Sequence, residues 1–286
     1  MTNDLRTAKG TLIIIGGHED KTGKKTILKE VARRIGKGKL VVSTVASHRP
    51  DGYFEQYERL FRDLGVREVI ELDIRERQEA RDEAKLRMLD DVAGVFFSGG
   101  DQRRITSQLG DTPLYSRFQE IYDEGGVICG TSAGASVMSD VMMVSGDSDE
   151  SYRLGDLQMG PGFGLIRGVI IDQHFAERGR MGRLLGAVAQ NPRYIGLGID
   201  ENTAVVVEGG VQLRVIGEGA AYVVDGAGVS YSNVAEGHLK AALSIHDVRL
   251  QVLNEGDGYD LGLRLPMSLG KVEEGVQEPR KDAAND

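Results

Sequence analysis

The segment GTSAGAS, residues 130–136, contains a serine with glycine two positions away on each side. This G-x-S-x-G pattern is typical of a sharp turn that exposes a serine between a strand and a helix. Glycine is needed at the flanking positions because side chains there would collide. The preceding residues VIC suit a strand, and the following ASVMSDVM can begin a helix. The pattern therefore predicts Ser132 as a nucleophile.

A serine hydroxyl needs a base, and the base needs an acid that orients it. Of the five histidines, His174 follows the apolar run VII and lies in the polar segment DQHFAERGRMGR. A histidine just past an apolar strand is well placed to reach a site at the strand ends. For the acid, Glu201 in GIDENTA is the first candidate, and Asp200 and Asp172 compete with it.

Two chain orders are therefore open at this point. One is Ser132, His174, Glu201. The other, Ser132, Asp200, His246, would match an α/β-hydrolase. Those enzymes usually carry an HGGG-type oxyanion loop, which this sequence lacks, and His246 in LSIHDVRL has the surroundings of a strand residue.

Strand-like and helix-like segments alternate through the first half of the chain. The strands are predicted at 11–15, 39–46, 67–74, 94–100 and 126–129, and the helices at 23–35, 53–64, 75–91 and 113–124. This alternation predicts an α/β fold with a mostly parallel sheet and helices on both faces. Glycine-containing turns follow three of these strands, at 16–17, 99–100 and 130–136. Since parallel sheets bind ligands beyond the carboxyl ends of their strands, we expect a site at that edge.

Beyond residue 195 the sequence is rich in β-branched residues with frequent glycines, which predicts antiparallel strands and hairpins. Because no Pro- or Ser-rich linker is visible, we predict a single domain over residues 1–270. Its core covers about residues 10–225, and a strand-rich extension covers about 203–270. The polar residues 271–286 are predicted to be a disordered tail.

The charge and composition of the chain limit the classes of partner that it is expected to bind. A formal net charge of −9 and the lack of a basic stripe disfavour nucleic acid and anionic membranes. No apolar run is long enough to span a bilayer, and the N-terminus lacks the apolar core of a secretory signal. The single cysteine, Cys129, suits a buried strand position and a reducing cytoplasm.

Five motifs in order carry a resemblance to a known family. They are GGHEDK (16–21), FFSGGDQ (96–102), GTSAGAS (130–136), GFGL with DQHFAERGRMGRL (162–165, 172–184) and GIDENTA (198–204). Over about residues 10–225 the chain resembles the cyanophycinases. These are serine peptidases whose fold is similar to that of class I glutamine amidotransferases, a flavodoxin-like arrangement, and they are related to aspartyl dipeptidases.

The resemblance implies a substrate and an assembly. Cyanophycin is a polyaspartate whose side-chain carboxyls are amide-linked to arginine, and the implied product is the β-Asp-Arg dipeptide, released from the chain end. The family also implies a homodimer. No cofactor and no metal are expected. His18, Glu19 and Asp20 are potential ligands, but adjacent positions rarely converge on one ion, so we interpret them as a polar loop.

The resemblance also implies roles for particular residues. Ser132 would be the nucleophile, His174 the base and Glu201 the acid. We expect the amides of Gly100 and Ala133 to hold the oxyanion. The pocket residues implied beside them are Gln102, Asp172, Gln173, Arg178, Arg180 and Arg183.

The substrate unit carries a guanidinium and a free carboxylate, so its pocket needs both signs of charge. Asp172 can pair with a guanidinium, and the arginines can clamp a carboxylate. One departure from the family pattern is His18, which stands where a small residue is expected.

Three other functions stay open from the sequence. A related aspartyl dipeptidase would share the catalytic residues but have a closed pocket with fewer arginines. An α/β-hydrolase-type esterase would use the second chain order. An amidotransferase-like binding module would carry a serine that performs no chemistry.

Overall fold

The structure is a computed structural model that describes residues 10–48, 52–145, 153–155, 157–236, 238 and 240–267. Its strands are β1 (Thr11–Ile15), β2 (Lys39–Ser43), β3 (Glu68–Leu72), β4 (Val92–Phe97), β5 (Val127–Thr131), β6 (Val141–Ser145), β7 (Gln158–Pro161), β8 (Val169–Gln173), β9 (Ile195–Ile199), β10 (Thr203–Glu208), β11 (Gln212–Gly217), β12 (Ala221–Asp225), β13 (Tyr231–Ser232), β14 (Ile245–His246), β15 (Arg249–Leu253), β16 (Gly258–Asp260) and β17 (Leu265–Met267). Its helices are α1 (Thr26–Ile35), α2 (Tyr53–Asp63), α3 (Glu83–Arg87), α4 (Gln102–Leu109), α5 (Pro113–Asp123), α6 (Ala133–Ser136) and α7 (Met181–Gln190), with a 3₁₀ helix at Arg77–Arg81.

The main sheet has nine strands in the order β17-β16-β11-β10-β1-β5-β4-β2-β3. The strands from β1 to β3 in this order run parallel, and the strands on the other side of β1 pair antiparallel. A second sheet has the order β15-β12-β9-β8, in which β8 and β9 are parallel. The predicted α/β class is therefore confirmed, and the antiparallel strands expected in the second half of the chain are present.

Side chains alternate between the two faces of β1 because successive residues of a strand point to opposite sides. Ile13 and Ile15 join a buried cluster with residues of α1 and α2. Leu12 and Ile14 join a second cluster that includes residues of α5 and of the second sheet. The main sheet thus lies between helices on one face and a mixed layer on the other. Burying one such side chain contributes about 1.5–3 kcal/mol.

The second sheet is covered on both faces. Ile171 of β8 packs in the cluster shared with the main sheet, and Ile170 packs against Leu184 and Val188 of α7. The end of β8 reaches the end of β1, because the amide of His174 donates to the carbonyl of Gly16 at 2.7 Å. The carboxyl ends of strands from two sheets therefore meet at one place.

The helix predicted over 75–91 is wrong as a single element. A 3₁₀ helix at Arg77–Arg81 is separated from α3 by Asp82, whose backbone is extended. The Asp82 side chain accepts the amide of Ala84, so it begins a new helix instead of continuing the old one. Helix α4 was not expected from the sequence, since only Ile105 and Leu109 of its residues are buried.

The one-domain prediction stays a prediction, and the polar segment 271–286 lies outside the described residues. Among the helices that the structure describes, none is long and apolar enough to cross a membrane.

Candidate active site

Ser132 occupies the turn between β5 and α6, as the GTSAGAS pattern predicts. Its backbone has φ 54° and ψ −111°, a conformation that residues other than glycine rarely adopt. A Cβ on Gly130 would lie 2.2 Å from the carbonyl oxygen of Gly134. A Cβ on Gly134 would lie 2.3 Å from the carbonyl oxygen of Phe97 in β4. Both glycines are therefore required for this turn to pack against its neighbours.

The imidazole of His174 bridges Ser132 and Glu201. Its Nε2 lies 2.9 Å from Ser132 Oγ, and its Nδ1 lies 2.6 Å from Glu201 Oε1. The ring packs directly over Gly17, where an added Cβ would lie 2.2 Å from the ring. Since the carboxylate accepts from Nδ1–H, Nε2 is left as the acceptor for the serine hydroxyl. The arrangement can move a proton from serine to histidine.

Three successive carbonyls at the end of β1 hold the loops that carry these side chains. The amide of Ser132 donates to Ile15 O at 3.1 Å, and the amide of His174 donates to Gly16 O at 2.7 Å. The amide of Asn202, the neighbour of Glu201, donates to Gly17 O at 2.8 Å. The three loops therefore share one backbone scaffold.

Burial lowers the pKa of His174 below its ordinary value of 6.5, because the charged form loses hydration. The hydrogen bond to Glu201 raises the pKa and opposes this effect, while the positive charge of Arg178 lowers it further. The balance favours a neutral imidazole near pH 7, which is the form that can accept a proton.

The competing acids are engaged elsewhere. Asp200 accepts the amides of Ala176 at 2.9 Å and Ala220 at 3.1 Å, so it holds the loops around the site. His246 lies on β14, where its ring contacts Tyr231. The structure brings together the side chains of the first chain order, Ser132, His174 and Glu201. It does not bring His246 to Ser132, as the second chain order requires.

The amides expected to hold an oxyanion border the serine. Ala133 is the first residue of α6, and the Gly99–Gly100 turn lies against Ser132, with 3.5 Å between a Cβ built on Gly99 and Ser132 Cβ. Gly100 has φ +146°, and a Cβ there would lie 2.2 Å from Ala46 O. Across the described segments, the amides of Gly100 and Ala133 donate to no protein acceptor.

The predicted pocket residues include a buried charge cluster. Asp172 is 1% exposed and pairs with Arg180 at 3.1 Å and with Arg183, whose Nε lies 2.7 Å from Oδ2. Burial lowers the pKa of Arg180 to about 10. Arg180 also donates to the side chain of Gln173 at 3.2 Å. The Asp172 carboxylate thus orients two arginines of its own chain, whereas the sequence led us to expect a free partner for a substrate guanidinium.

The remaining two pocket candidates differ from this cluster. Arg178 is exposed in the loop after His174. Gln102 begins α4, and its amide donates to the carbonyls of Met143 at 3.2 Å and Val144 at 3.4 Å. Gln102 therefore fixes β6 beside the site, and Arg178 is the candidate most open to a ligand.

Sequence reasoning missed a buried carboxylate behind the turn. Glu19, interpreted as part of a polar loop, is 4% exposed. It accepts hydrogen bonds from Thr131 at 2.6 Å and Tyr57 at 2.5 Å, and Lys21 lies 3.4 Å away. The available signal was the polar Thr131 at the end of an otherwise apolar strand. Glu19 therefore anchors the residue that precedes Ser132.

We expect Thr131→Val to lower the free energy of unfolding by about 1–3 kcal/mol, because a buried carboxylate oxygen loses its donor. Thr131→Ser, which keeps the hydroxyl, is the matched control. Denaturant unfolding measures both variants. Equal stability of the valine and serine variants would contradict the anchoring role of Glu19.

Comparisons with known proteins identify a family for this chain. The profile of Peptidase family S51 matches residues 12–215. A cyanophycinase of Synechococcus elongatus is 39% identical over 256 residues, which cover 88% of this chain and 80% of the relative. A cyanophycinase of Geminocystis herdmanii is 35% identical over 263 residues, which cover 91% of this chain and 97% of the relative.

Among solved structures, a peptidase from an acI-B1 Actinobacterium has the same fold. It superposes with a TM-score of 0.65 at 24% identity, covering 89% of this chain and 98% of that chain. At this identity the likeness concerns the fold alone. The family profile and the two sequence relatives carry the assignment: the chain belongs to peptidase family S51, and it is a peptidase.

Proposed function

We propose that the protein is a serine peptidase that hydrolyses cyanophycin and releases β-Asp-Arg dipeptides from the chain end. The observation that carries the proposal is the continuous line of hydrogen bonds from Ser132 through His174 to Glu201, at 2.9 and 2.6 Å. The relatives named cyanophycinase support the substrate.

In the first step, His174 Nε2 takes the hydroxyl proton of Ser132 as Oγ attacks the carbonyl carbon of an Asp–Asp main-chain amide. Glu201 stabilises the imidazolium that forms. The negative charge on the substrate oxygen is held by the amides of Ala133 and Gly100, whose donors are directed to no protein acceptor among the described residues.

In the second step, the imidazolium gives its proton to the leaving amine as the C–N bond breaks. The product is an ester on Ser132. Water then loses a proton to His174 and attacks the ester carbon, which releases the carboxyl product and restores the serine hydroxyl.

Recognition of the substrate rests on the arginines beside the site. Arg180 and Arg183 are held in place by the buried Asp172, so their donor groups are fixed before a ligand arrives. The exposed Arg178 adds a positive charge at the mouth of the site. We propose that these groups bind the free carboxylate of the substrate unit, with Gln102 and Gln173 completing the pocket.

We also propose a homodimer in the cytoplasm. Strand β15 is an edge of the second sheet, and its Leu250 and Val252 are 48% and 58% exposed. We propose that a second copy covers these apolar side chains and the edge of β15, which pairs on one side only among the described strands. The buried, single Cys129 suits a reducing compartment.

The purified protein is expected to have twice the chain mass by light scattering, and Val252→Lys is expected to shift it toward the single-chain mass. A single-chain mass for the unchanged protein contradicts the dimer. If the protein is a dimer and Val252→Lys does not change its mass, the interface does not include β15.

Incubation with insoluble cyanophycin tests the proposed function. The unchanged protein should release soluble β-Asp-Arg, detected by mass, and Ser132→Ala should reduce the rate by about 10⁴-fold or more. Ser116→Ala, an exposed serine on α5, is the matched control. If Ser132→Ala is as active as the unchanged protein, Ser132 is not the nucleophile. If the protein hydrolyses aspartyl dipeptides but not the polymer, the result favours an aspartyl dipeptidase.

The pH profile of kcat/KM tests the base. Activity should fall as the pH drops through the pKa of His174, because the protonated imidazole cannot accept the serine proton. That midpoint should lie below 6.5, since burial lowers the pKa. Arg178→Gln removes a charge that lowers this pKa, so the midpoint should move upward, while Arg178→Lys should leave it in place. If Arg178→Gln leaves the midpoint of the pH profile unchanged, the result counts against His174 as the base.

A further inference from the structure

The side chain of His18 stands beside the proposed catalytic residues without belonging to the relay. Its ring meets that of His174 edge-on, with centroids 5.3 Å apart, and its Nε2 lies 3.8 Å from Glu201 Oε1. The side chain is 72% exposed, so it can reach solvent solutes. One ligand atom from each of the three residues lies within 4.8 Å of the others.

One of these spacings is already close to that of a tetrahedral metal site, and another must change. Ligands at the usual bond lengths of Zn²⁺ to nitrogen and oxygen stand about 3.4 Å apart around the ion. The 3.8 Å between His18 Nε2 and Glu201 Oε1 needs only a small closure. The 2.6 Å between His174 Nδ1 and Glu201 Oε1 is too short for an intervening ion and must open.

We propose that His18, His174 and Glu201 form a binding site for a transition-metal ion such as Zn²⁺, and that the bound ion holds the peptidase inactive. Two imidazole nitrogens and one carboxylate oxygen are a ligand set that suits Zn²⁺ and leaves the fourth position to water. Mg²⁺ prefers six oxygen ligands and does not fit this set.

The inhibition follows from the tautomer of His174. A metal on Nδ1 takes the lone pair of that nitrogen, so the single N–H proton of the neutral imidazole stands on Nε2 instead. The hydrogen bond to Glu201 is then replaced by a shared ion, and Nε2, which now carries a proton, can no longer accept the proton of Ser132. This consequence rests on the proposed role of the Ser132–His174–Glu201 relay, whereas binding of the ion does not.

Binding is tested in Ser132→Ala, which keeps all three ligands but has no nucleophile. Untagged protein is freed of metal with a chelator and titrated with Zn²⁺ by calorimetry, and with Co²⁺ by its visible spectrum. We expect one ion per chain, and an affinity at least about tenfold weaker when His18→Ala is added. His246→Ala, which removes an exposed histidine on β14, should change nothing. The proposed metal site is wrong if no ion binds, or if His18→Ala leaves the affinity unchanged.

The effect on Ser132 is read with a phosphonofluoridate probe, which labels an activated serine and adds a fixed mass. Zn²⁺ should slow labelling of the unchanged protein and have at least about tenfold less effect on His18→Ala at the same concentration, while Mg²⁺ should not slow it. Labelling that is indifferent to bound Zn²⁺ overturns the inhibition. If the metal-free protein is not labelled at all, the proposed peptidase mechanism fails, and the calorimetric titration still decides whether the site exists.

Discussion

The absence of side chains at Gly16 and Gly17 is the constraint on which the site depends. A Cβ on Gly16 would lie 2.0 Å from Asp200 O, and one on Gly17 would lie 2.2 Å from the His174 ring. With bare backbone at these positions, the end of β1 can accept amides from the loops that carry Ser132 and His174 and from Asn202. The short contacts from Ser132 through His174 to Glu201 follow from this shared attachment.

The sequence allowed the parts with local signals to be predicted. Ser132 could be predicted because a single turn requires the glycines on either side of it, and these are visible in the local sequence. His174 and Glu201 follow strands β8 and β9 in the structure, as their surroundings in the sequence predict. Only family resemblance distinguished Glu201 from Asp200 as the candidate acid. The assignment of β8 and β9 to a second sheet has no local signal, because pairing partners depend on contacts far apart in the chain.

The buried residues show what pattern reasoning leaves out. Glu19 lies between two polar neighbours in sequence, so its burial is set by Tyr57 and Thr131, which come from other elements. Asp172 is similar, because its partners Arg180 and Arg183 are brought back by the turn before α7. A charge in low dielectric must be paired, and the pairing is visible only in three dimensions. Among the arginines of the motif, two are thus engaged with the chain and Arg178 faces solvent.

The positive φ angles at the site have a consequence for how this chain can change. Ser132, His174 and Asn202 have φ values of 54°, 48° and 48°, each in the region where glycine is at ease and other residues are strained. Glycine at any of the three would relieve strain, and at Ser132 and His174 it would also remove a side chain that the proposed mechanism uses. A more stable fold and the proposed turnover therefore make opposite demands at Ser132 and His174. The strained backbone at these two residues is a cost in stability for which the proposed chemistry accounts.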